Sequence, residues 1–372
     1  MDPLSAQPAA ADHAEAEALL LLQRVPGVGP CTVRELVARF GSGRAALTAP
    51  QRDLADLLGD GPGVAALAAA DAPADRDAVT AELAAADALG MAVVPMTSDA
   101  YPARLLELSD PPPVIFLRGR SELLDPPSVA IVGARAATGY GRRTAARLAT
   151  ALARHGVVVV SGLALGVDGE AHGAALDAGG TTVAVLGCGA DVEHPPSHAR
   201  LQRSIARDGL LVSEFAPGTP PLPHHFPRRN RIMAALVRVV VVVEAAARSG
   251  ALITARLALD LGREVMAVPG PIDAATSVGT NALLRDGAQP VLGPDDVVRA
   301  LGIEPDERPS GTPKAGTDGA ALWDLLDLTP VGVDELARMS GLPPRRTLAA
   351  LSQLEIEGWA MQSAGARFKR RS

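Results

Sequence analysis

The sequence predicts an α/β protein built on a doubly wound, mostly parallel β-sheet, with a helical domain before the sheet and a winged helix after it. Three observations predict this fold class. The 372 residues are 48% hydrophobic, which is enough for a sizeable core in two or three domains. The first 120 residues are rich in alanine and leucine at helical spacing. From residue 128 onward, short β-branched runs alternate with helix-compatible stretches.

Residues 1–120 are predicted to form a small helical domain of the helix-hairpin-helix or SAM-like kind. Breaks at 27–30, 41–43 and 59–63 contain glycine and separate the helices. The segment 25–42, VPGVGPCTVRELVARFGS, combines a Gly-x-Gly turn with an amphipathic helix. Such a turn can offer backbone N–H groups to a DNA phosphate, or it can simply join two packed helices. The acidic flanks favour the second interpretation.

Residues 121–301 are predicted to form the sheet domain. Its apolar, β-branched runs indicate buried strands at 129–132, 157–160, 183–186, 210–212, 239–243 and 265–268. The helix-compatible stretches between most of these runs are typical of right-handed crossovers in a parallel sheet. Functional groups are therefore expected at the carboxyl ends of the strands.

Residues 302–319 are rich in proline, glycine and charge, so we expect a flexible linker there. Residues 320–372 resemble a winged helix, with helices at 334–339 and 345–357, a turn at Gly341 and a wing at 359–368. Arg345 and Arg346 lie at the start of its recognition helix, where possible contacts to a DNA groove are expected. Winged helices also bind proteins, and the balanced charge of this segment leaves both interpretations open.

The net charge of −7 is unevenly distributed along the chain. Residues 1–127 carry −9, residues 128–300 carry +3 and residues 301–372 carry −1, so most of the acidity belongs to the helical domain. Cys31 and Cys188 are too far apart in sequence for a disulfide framework, which suggests the reducing cytoplasm. The N-terminus does not resemble a secretion signal, and no apolar run is long enough to predict a membrane span.

The first predicted strand leads into GARAATGYGRR at 133–143, where Gly133 permits a turn and Arg135 offers a planar donor to phosphate. A dinucleotide fingerprint would need Gly-x-Gly-x-x-Gly here and an acidic residue at the end of the next strand, and both are missing. A Walker A loop would need a lysine, but residues 121–301 contain none. These absences argue against nicotinamide or flavin dehydrogenases and P-loop ATPases.

Two further loops, Ser161-Gly162 and Ser249-Gly250, each follow a strand and begin a helix. With Arg135 they could form an anion-binding groove at one sheet edge, although serine at a helix start can also act only as a cap. Ser161, Asp168 and His172 suggest a hydrolytic triad, but the Gly-x-Ser-x-Gly elbow is absent. No metal site is expected, because Pro195 and Pro196 interrupt the helix that an HxxxH pair formed by His194 and His198 would need.

The most specific stretch is PLPHHFPRRNRIMAAL at 221–236. Arg228, Arg229 and Arg231 can pair with phosphates, and Phe226 offers a ring on which a base can stack. In a chain with only 2% aromatic residues, a phenylalanine between prolines and beside arginines is hard to assign to the core. The pattern favours single-stranded nucleic acid binding over a solvated basic loop.

Seven stretches between about residues 129 and 288 resemble the DprA family, also called Smf, in the family's order. They are VAIVGARAATGYG, SGLALGVDGEAH, TVAVLGCGAD, LLVSEFAPGTPP, FPRRNRIMAAL, VVVVEAAARSGALITARLALDLGREVMAVPG and GTNALLRDGA. The helix-hairpin-helix-like start and the winged-helix-like end of the chain are similar to those of the longer members.

The resemblance implies an extended Rossmann-like fold that binds single-stranded DNA without catalysis or a cofactor, forms a homodimer and helps load the RecA recombinase during DNA uptake. It also implies DNA-binding roles for Arg135, Ser161, Gly162, Phe226, Arg228, Asn230, Arg231, Ser249 and Gly250. Two positions depart from the family pattern. Leu165 stands where the family usually has arginine, and His194 stands where it usually has tyrosine.

The sequence leaves two alternatives to a single-stranded DNA-binding function. One is a Rossmann-like enzyme of the nucleoside-phosphate glycohydrolase type, recognised by the motif PGGxGTxxE. Here Pro269-Gly270 is followed by Pro271-Ile272-Asp273, so the catalytic glutamate is missing from its place. The other alternative is an interaction scaffold whose winged helix binds protein or duplex DNA.

Overall fold

A computed structural model describes residues 10–58, 73–304, 317–327, 329–363 and 365–370 of the chain. The chain divides into two compact units, Met1–Glu304 and Pro305–Ser372. The break predicted at 59–63 and most of the linker predicted at 302–319 lie outside the described residues.

The first unit begins with helices whose buried apolar residues belong to the same core as one face of the large sheet. They are α1 (Ala10–Arg24), α2 (Pro30–Phe40), α3 (Gly43–Leu47), α4 (Gln51–Leu58) and α5 (Pro73–Ala88). Leu19, Leu22 and Leu36 are fully buried between them. Between α1 and α2 the chain turns through Gly27, whose φ of +84° favours glycine. Two helices joined by a tight turn therefore occupy the segment in which a helix-hairpin-helix is predicted.

A nine-stranded sheet forms the rest of this unit. Its strands are β1 (Ala92–Pro95), β2 (Val114–Gly119), β3 (Ser128–Val132), β4 (Val158–Ser161), β5 (Thr182–Leu186), β6 (Leu210–Ser213), β7 (Val239–Val242), β8 (Glu264–Ala267) and β9 (Gln289–Pro290). The strand order is β1-β2-β6-β5-β4-β3-β7-β8-β9. All pairs are parallel except β1 with β2 and β2 with β6.

Both faces of the sheet are covered, which explains the uninterrupted apolar runs in the sequence. Val129 and Ile131 of β3 face one core cluster, whereas Ala130 and Val132 face the other. The covering helices are α6 (Gly139–Arg154), α7 (Val167–Asp177), α8 (Ala199–Asp208), α9 (His225–Leu236), α10 (Gly250–Asp260), α11 (Val278–Arg285) and α12 (Pro294–Ala300). The predicted α/β fold class and its mostly parallel sheet are confirmed.

The sheet begins earlier in the chain than the predicted boundary at residue 120. Strands β1 and β2 fall within residues 1–120, and β2 pairs with β6 through Arg118 opposite Leu211. The helical part of the first unit therefore ends with α5. These two strands are antiparallel and are joined by a segment whose regular structure is the short 3-10 helix Ala103–Glu107, so they do not show the alternation of strand and α-helix that marks the rest of the sheet.

The second unit has the winged-helix arrangement. Its elements are α13 (Thr317–Leu325), β10 (Val331–Gly332), α14 (Val333–Ser340), α15 (Pro344–Ile356), β11 (Ala360–Ser363) and β12 (Arg367–Arg370). Gly341 ends α14 in the left-handed conformation, at a φ of +71°. Leu336, Leu351 and Phe368 are buried together in its core. The predicted helix-turn-helix and wing are confirmed.

Among the residues that the structure describes, no helix combines the length and the apolar composition needed to cross a membrane.

Candidate nucleic-acid interface

The strand order creates a switch point at the centre of the large sheet. The chain runs outward from β3 through β4 and β5 to β6, and then returns to place β7 on the other side of β3. The connections after β3 and β7 therefore diverge and open a crevice at the carboxyl ends of these strands. A cleft of about 670 Å³ lies there. Its walls include Gly133, Arg135, Asp168, His194, Phe226, Arg229, Asn230, Ser249 and Gly250.

The loop after β3 supplies the exposed cation of the cleft. A Cβ at Gly133 would collide with Val167, so glycine is required where this loop turns against α7. The turn leaves Arg135 exposed, with its Cζ 5.3 Å from the centre of the Phe226 ring. This distance places a guanidinium over an aromatic face, which is a favourable cation–π arrangement.

Phe226 lies at the start of α9 and is half-buried in the cleft wall. The ring of His194 lies 5.5 Å from the Phe226 ring, between centroids. Burial and the positive charge of Arg135 lower the pKa of His194, which favours its neutral form. The residue that departs from the family's usual tyrosine therefore contributes a ring beside Phe226. Leu165, the other departure, is 45% exposed.

The loop after β4 is placed differently from the sequence-based expectation. Ser161 is fully buried, and its hydroxyl donates to the carbonyl oxygen of Ile131 at 2.6 Å. The amides of Gly162 and Ala164 donate to Asp168 Oδ2 at 3.2 and 3.4 Å, so they do not point outward to a ligand. Their partners are inside the protein, and Ser161-Gly162 supports the cleft in this structure instead of offering free donors to an anion.

Arg229 explains why this loop closes on itself. Its side chain is buried, and Nη1 donates to the carbonyl oxygen of Gly162 at 2.7 Å and to that of Val185. A Cβ at Gly162 would collide with this guanidinium. Burial lowers the pKa of Arg229 to about 10, and the negative charge of Asp168 opposes that shift. Burial also raises the pKa of Asp168, while the charge of Arg229 opposes that shift, so each charge partly offsets the cost of burying the other without a direct ion pair between them.

The other arginines of α9 form an ion-pair cluster. Arg231 is buried and donates to Asp110 Oδ2 at 2.9 Å and to Glu214 Oε2 at 2.9 Å. Arg228 pairs with the same Glu214 at 2.9 Å, but its side chain remains 41% exposed. Arg231, which was expected to contact DNA, is therefore engaged with two carboxylates inside the protein. Asn230 is buried and lines the cleft.

The loop after β7 brings a helix N-terminus to the cleft. Ser249 caps α10, and its Oγ accepts a hydrogen bond from the amide of Ala251 at 3.3 Å. Gly250 is exposed, and the space around its Cα is open. The first N–H groups of a helix attract anions, so this end of α10 complements the positive charge of Arg135.

Glu244 is a neighbour of the site that the sequence-based prediction omitted. Glu244 is buried, and it accepts hydrogen bonds from the amide of Thr138, at 2.9 Å, and from the Thr138 hydroxyl. It thereby fixes the loop that carries Arg135 to β7. The sequence does contain a signal for this role, because Glu244 directly follows five valines. A carboxylate at the end of a buried strand needs hydrogen-bond donors near it.

The suggested hydrolytic triad is not assembled. His172 Nε2 accepts from the amide of Leu163 at 3.3 Å, and its Nδ1 lies 2.6 Å from Thr182 Oγ1, which donates to the carbonyl oxygen of Val159. This chain fixes neutral His172 with its proton on Nδ1. Ser161 and His172 therefore each hold a different backbone segment. Among the described residues, no three histidine, cysteine, aspartate or glutamate side chains are grouped to hold a metal ion.

His172 makes a testable contribution to pH dependence. Burial, together with the charge of Arg229, lowers its pKa to about 3 from an unfolded value of about 6.5. As the pH falls below about 6.5, the unfolded chain binds a proton that the folded chain does not, and stability falls by about 1.4 kcal/mol per pH unit. Between pH 7 and pH 5, urea unfolding should therefore show a loss about 2 kcal/mol smaller in His172→Gln than in the wild type.

The control for this experiment is His224→Gln, because His224 is exposed. It should lose as much stability as the wild type between the same two pH values. Equal losses in His172→Gln and the wild type would contradict the assignment of a buried neutral imidazole.

In the second unit, the two predicted arginines lie where the sequence suggests. Arg345 and Arg346 are exposed in the first turn of α15. Arg346 pairs with Asp318 through two hydrogen bonds of 2.8 Å.

Comparison with known proteins decides the family. The family model for DNA recombination-mediator protein A matches residues 92–302, and the model for the DprA winged helix domain matches residues 305–366. The chain belongs to the DNA recombination-mediator protein A family. The first match contains the whole cleft of this DprA-family chain, and the second covers most of its winged helix.

Relatives agree with this assignment. The chain is 42% identical to Protein Smf of Escherichia coli over 279 residues, which cover 72% of this chain and 74% of that protein. It is 46% identical to the DNA processing protein DprA of Streptococcus pneumoniae over 200 residues, which cover 54% of this chain and 71% of that protein.

Two solved structures of DprA proteins are similar to this one. The X-ray structure from Streptococcus pneumoniae has a TM-score of 0.67 and 35% identity, over 76% of this chain and 97% of that chain. The Helicobacter pylori protein, whose structure describes its single-stranded DNA binding mode, has a TM-score of 0.52 and 33% identity. That match covers 57% of this chain and 95% of that chain.

Proposed function

We propose that this protein binds single-stranded DNA in the cleft at the switch point and acts as a recombination mediator. The observation that carries the proposal is the pair formed by exposed Arg135 and the Phe226 ring, 5.3 Å apart at the mouth of the cleft. A base can stack on Phe226 while a neighbouring phosphate pairs with the guanidinium. The Helicobacter pylori relative, described for its single-stranded DNA binding mode, supports the same ligand.

The cleft is suited to any sequence. Every base has a face that can stack on an aromatic ring, and every nucleotide has a phosphate for Arg135 and the N-terminus of α10. Ser249 and Gly250 would meet the phosphate next to the one held by Arg135. Asn230 would meet a base edge or a sugar from the cleft wall. Arg228, which pairs with Glu214 but is 41% exposed, would contact the strand outside the cleft lining.

We propose that the protein works by binding and not by catalysis, and without a cofactor. It would protect incoming single strands in the cytoplasm and help load the RecA recombinase onto them during DNA uptake. The family description, recombination mediator, supports this role.

We also propose a homodimer joined at the β9 edge of the sheet. Three large apolar side chains are exposed in this region. Ile272, after β8, is 95% exposed; Val278, at the start of α11, is 46% exposed; and Leu292, after β9, is 77% exposed. Large apolar side chains exposed along one edge are typical of an interface between subunits. Sedimentation at increasing protein concentration would measure the proportion of dimer.

The winged helix carries Arg345 and Arg346 on its surface, and we propose that it binds either duplex DNA or a protein.

The experiment that tests the proposed function is a titration of single-stranded and double-stranded oligonucleotides at two salt concentrations, with and without RecA. We expect tighter binding to the single strand, an affinity that falls as salt rises, and faster RecA filament formation in the presence of the protein. Equal affinity for both DNA forms would contradict the proposed cleft. Base release from nucleoside monophosphates would instead favour the glycohydrolase alternative.

A further inference from the structure

The solvent-facing side of α6 carries one tyrosine and three arginines. Tyr140, Arg143, Arg147 and Arg154 are all exposed. At about 100° per residue they fall within an arc of about 60°, and at about 1.5 Å per residue they extend for about 21 Å. The buried side of the same helix, which includes Ala145, Leu148 and Leu152, faces the opposite direction. We call these four residues the α6 track.

The arginines of the α6 track are free to bind a ligand. Among the described residues, no carboxylate lies within ion-pair distance of Arg143, Arg147 or Arg154. Their neighbour Arg142 lies off the track and pairs with Glu170 of α7 at 2.9 Å. Three unpaired guanidinium groups in one line attract a chain of regularly spaced negative charges, and the phosphate backbone of a nucleic acid has that form.

The track starts next to the cleft. Tyr140 follows Arg135 by five residues, and Glu244 fixes the intervening loop through Thr138. The phenol of Tyr140 donates to the carbonyl oxygen of Pro269 at 3.1 Å. Its ring lines a mainly apolar recess of about 500 Å³, together with Gly270 and Pro271. This recess is large enough for a base, and only an unpaired base can enter it.

We propose that the α6 track is a second binding surface for the same single strand, which leaves the cleft by placing one base against Tyr140 and then follows the three arginines. This inference rests on the proposed function of the cleft. A duplex is disfavoured because its bases are stacked and paired and cannot reach the recess.

The test compares the full-length wild type with a variant carrying Arg143→Gln, Arg147→Gln and Arg154→Gln. Two oligonucleotides are titrated over a range of salt: one of about 5 nucleotides that fills the cleft, and one of about 20 nucleotides that also reaches the track. For the long strand, the variant should bind about tenfold more weakly, and its salt slope should be smaller by about 2, at about 0.7 per phosphate contact. Tyr140→Ala should weaken the long strand about tenfold without changing the slope.

Arg142→Gln is the matched control, because it removes an exposed arginine of the same helix that lies off the track. It should bind both strands like the wild type, and thermal melting should show that all variants remain folded. If the triple variant keeps the wild-type affinity and salt slope for the long strand while the short strand still binds, the α6 track does not bind DNA, and the proposed function of the cleft is unaffected. If the wild type does not bind the short strand, the proposed function of the cleft fails instead.

Discussion

Replacing Arg135 with alanine should weaken the binding of single-stranded DNA about 10- to 100-fold, and Phe226→Ala should have an effect of similar size. Arg135 is exposed at the mouth of the cleft with its guanidinium over the Phe226 ring, so each variant removes one half of the same binding unit. The two losses differ in their dependence on salt. Arg135→Ala should reduce the salt slope by about 0.7, whereas Phe226→Ala should leave it unchanged.

The control is Arg207→Ala. Arg207 is an exposed arginine near the end of α8, close to the start of β6 and thus at the opposite edge of the sheet, where it pairs with Asp208. The Arg207→Ala variant should bind DNA like the wild type in a mobility-shift or fluorescence-anisotropy titration. If Arg135→Ala bound the single strand with wild-type affinity and slope, the switch-point cleft would not be the binding site.

The largest effect on stability is expected from Arg229→Met, which should lower the free energy of unfolding by about 3 to 5 kcal/mol. The substitution keeps most of the side-chain volume but removes the buried charge that opposes Asp168. It also leaves the carbonyl oxygens of Gly162 and Val185 without the donor that satisfies them. Urea unfolding at pH 7 measures the loss.

A double variant identifies the cause. Asp168→Asn keeps an oxygen that can accept from the amides of Gly162 and Ala164 and removes the unpaired charge. Adding it to Arg229→Met should recover part of the lost stability. Arg228→Met is the neighbouring control and should cost about 1 kcal/mol, because Arg228 is partly exposed and Arg231 still pairs with Glu214. Equal losses in Arg228→Met and Arg229→Met would show that the buried guanidinium of Arg229 contributes no more stability than a partly exposed one.

The central strands could be predicted because their burial leaves a local record. Each position of β3 is buried, and residues 129–132 face the two sides of the sheet alternately, so the sequence shows a continuous apolar run that is mostly β-branched. Strands β1 and β2 leave a weaker record. Ala92–Pro95 is only four residues long, and its pairing partner lies about twenty residues away, beyond a short 3-10 helix. Only the hydrogen bonds to β2 identify it as part of the sheet.

Some residues of the candidate site could be predicted from the sequence, and the roles of others could not. Arg135 and Phe226 could be selected from sequence because glycine precedes one and prolines flank the other, which marks positions outside a buried run of the core. The structure places Arg135 in a loop and Phe226 in the first turn of α9. The roles of Arg229 and Arg231 could not be separated, since they lie two residues apart in one arginine-rich segment. The orientation of each side chain depends on the carboxylate that lies near it. Arg229 lies near Asp168, and Arg231 donates to Asp110 and Glu214, and these three acidic residues come from distant parts of the chain.

The sequence alone determined the α/β fold class, the winged helix, the family and the absence of a Walker lysine, because these depend on local periodicity and on residue identity. Tertiary structure alone decided which polar groups remain available to a ligand. Ser161 and Arg231 fit a phosphate site by residue type, yet their hydrogen-bonding groups are engaged by Ile131 and by two carboxylates. Burial makes the difference, because a polar group taken out of water must find a partner inside the protein and is then no longer free to bind DNA.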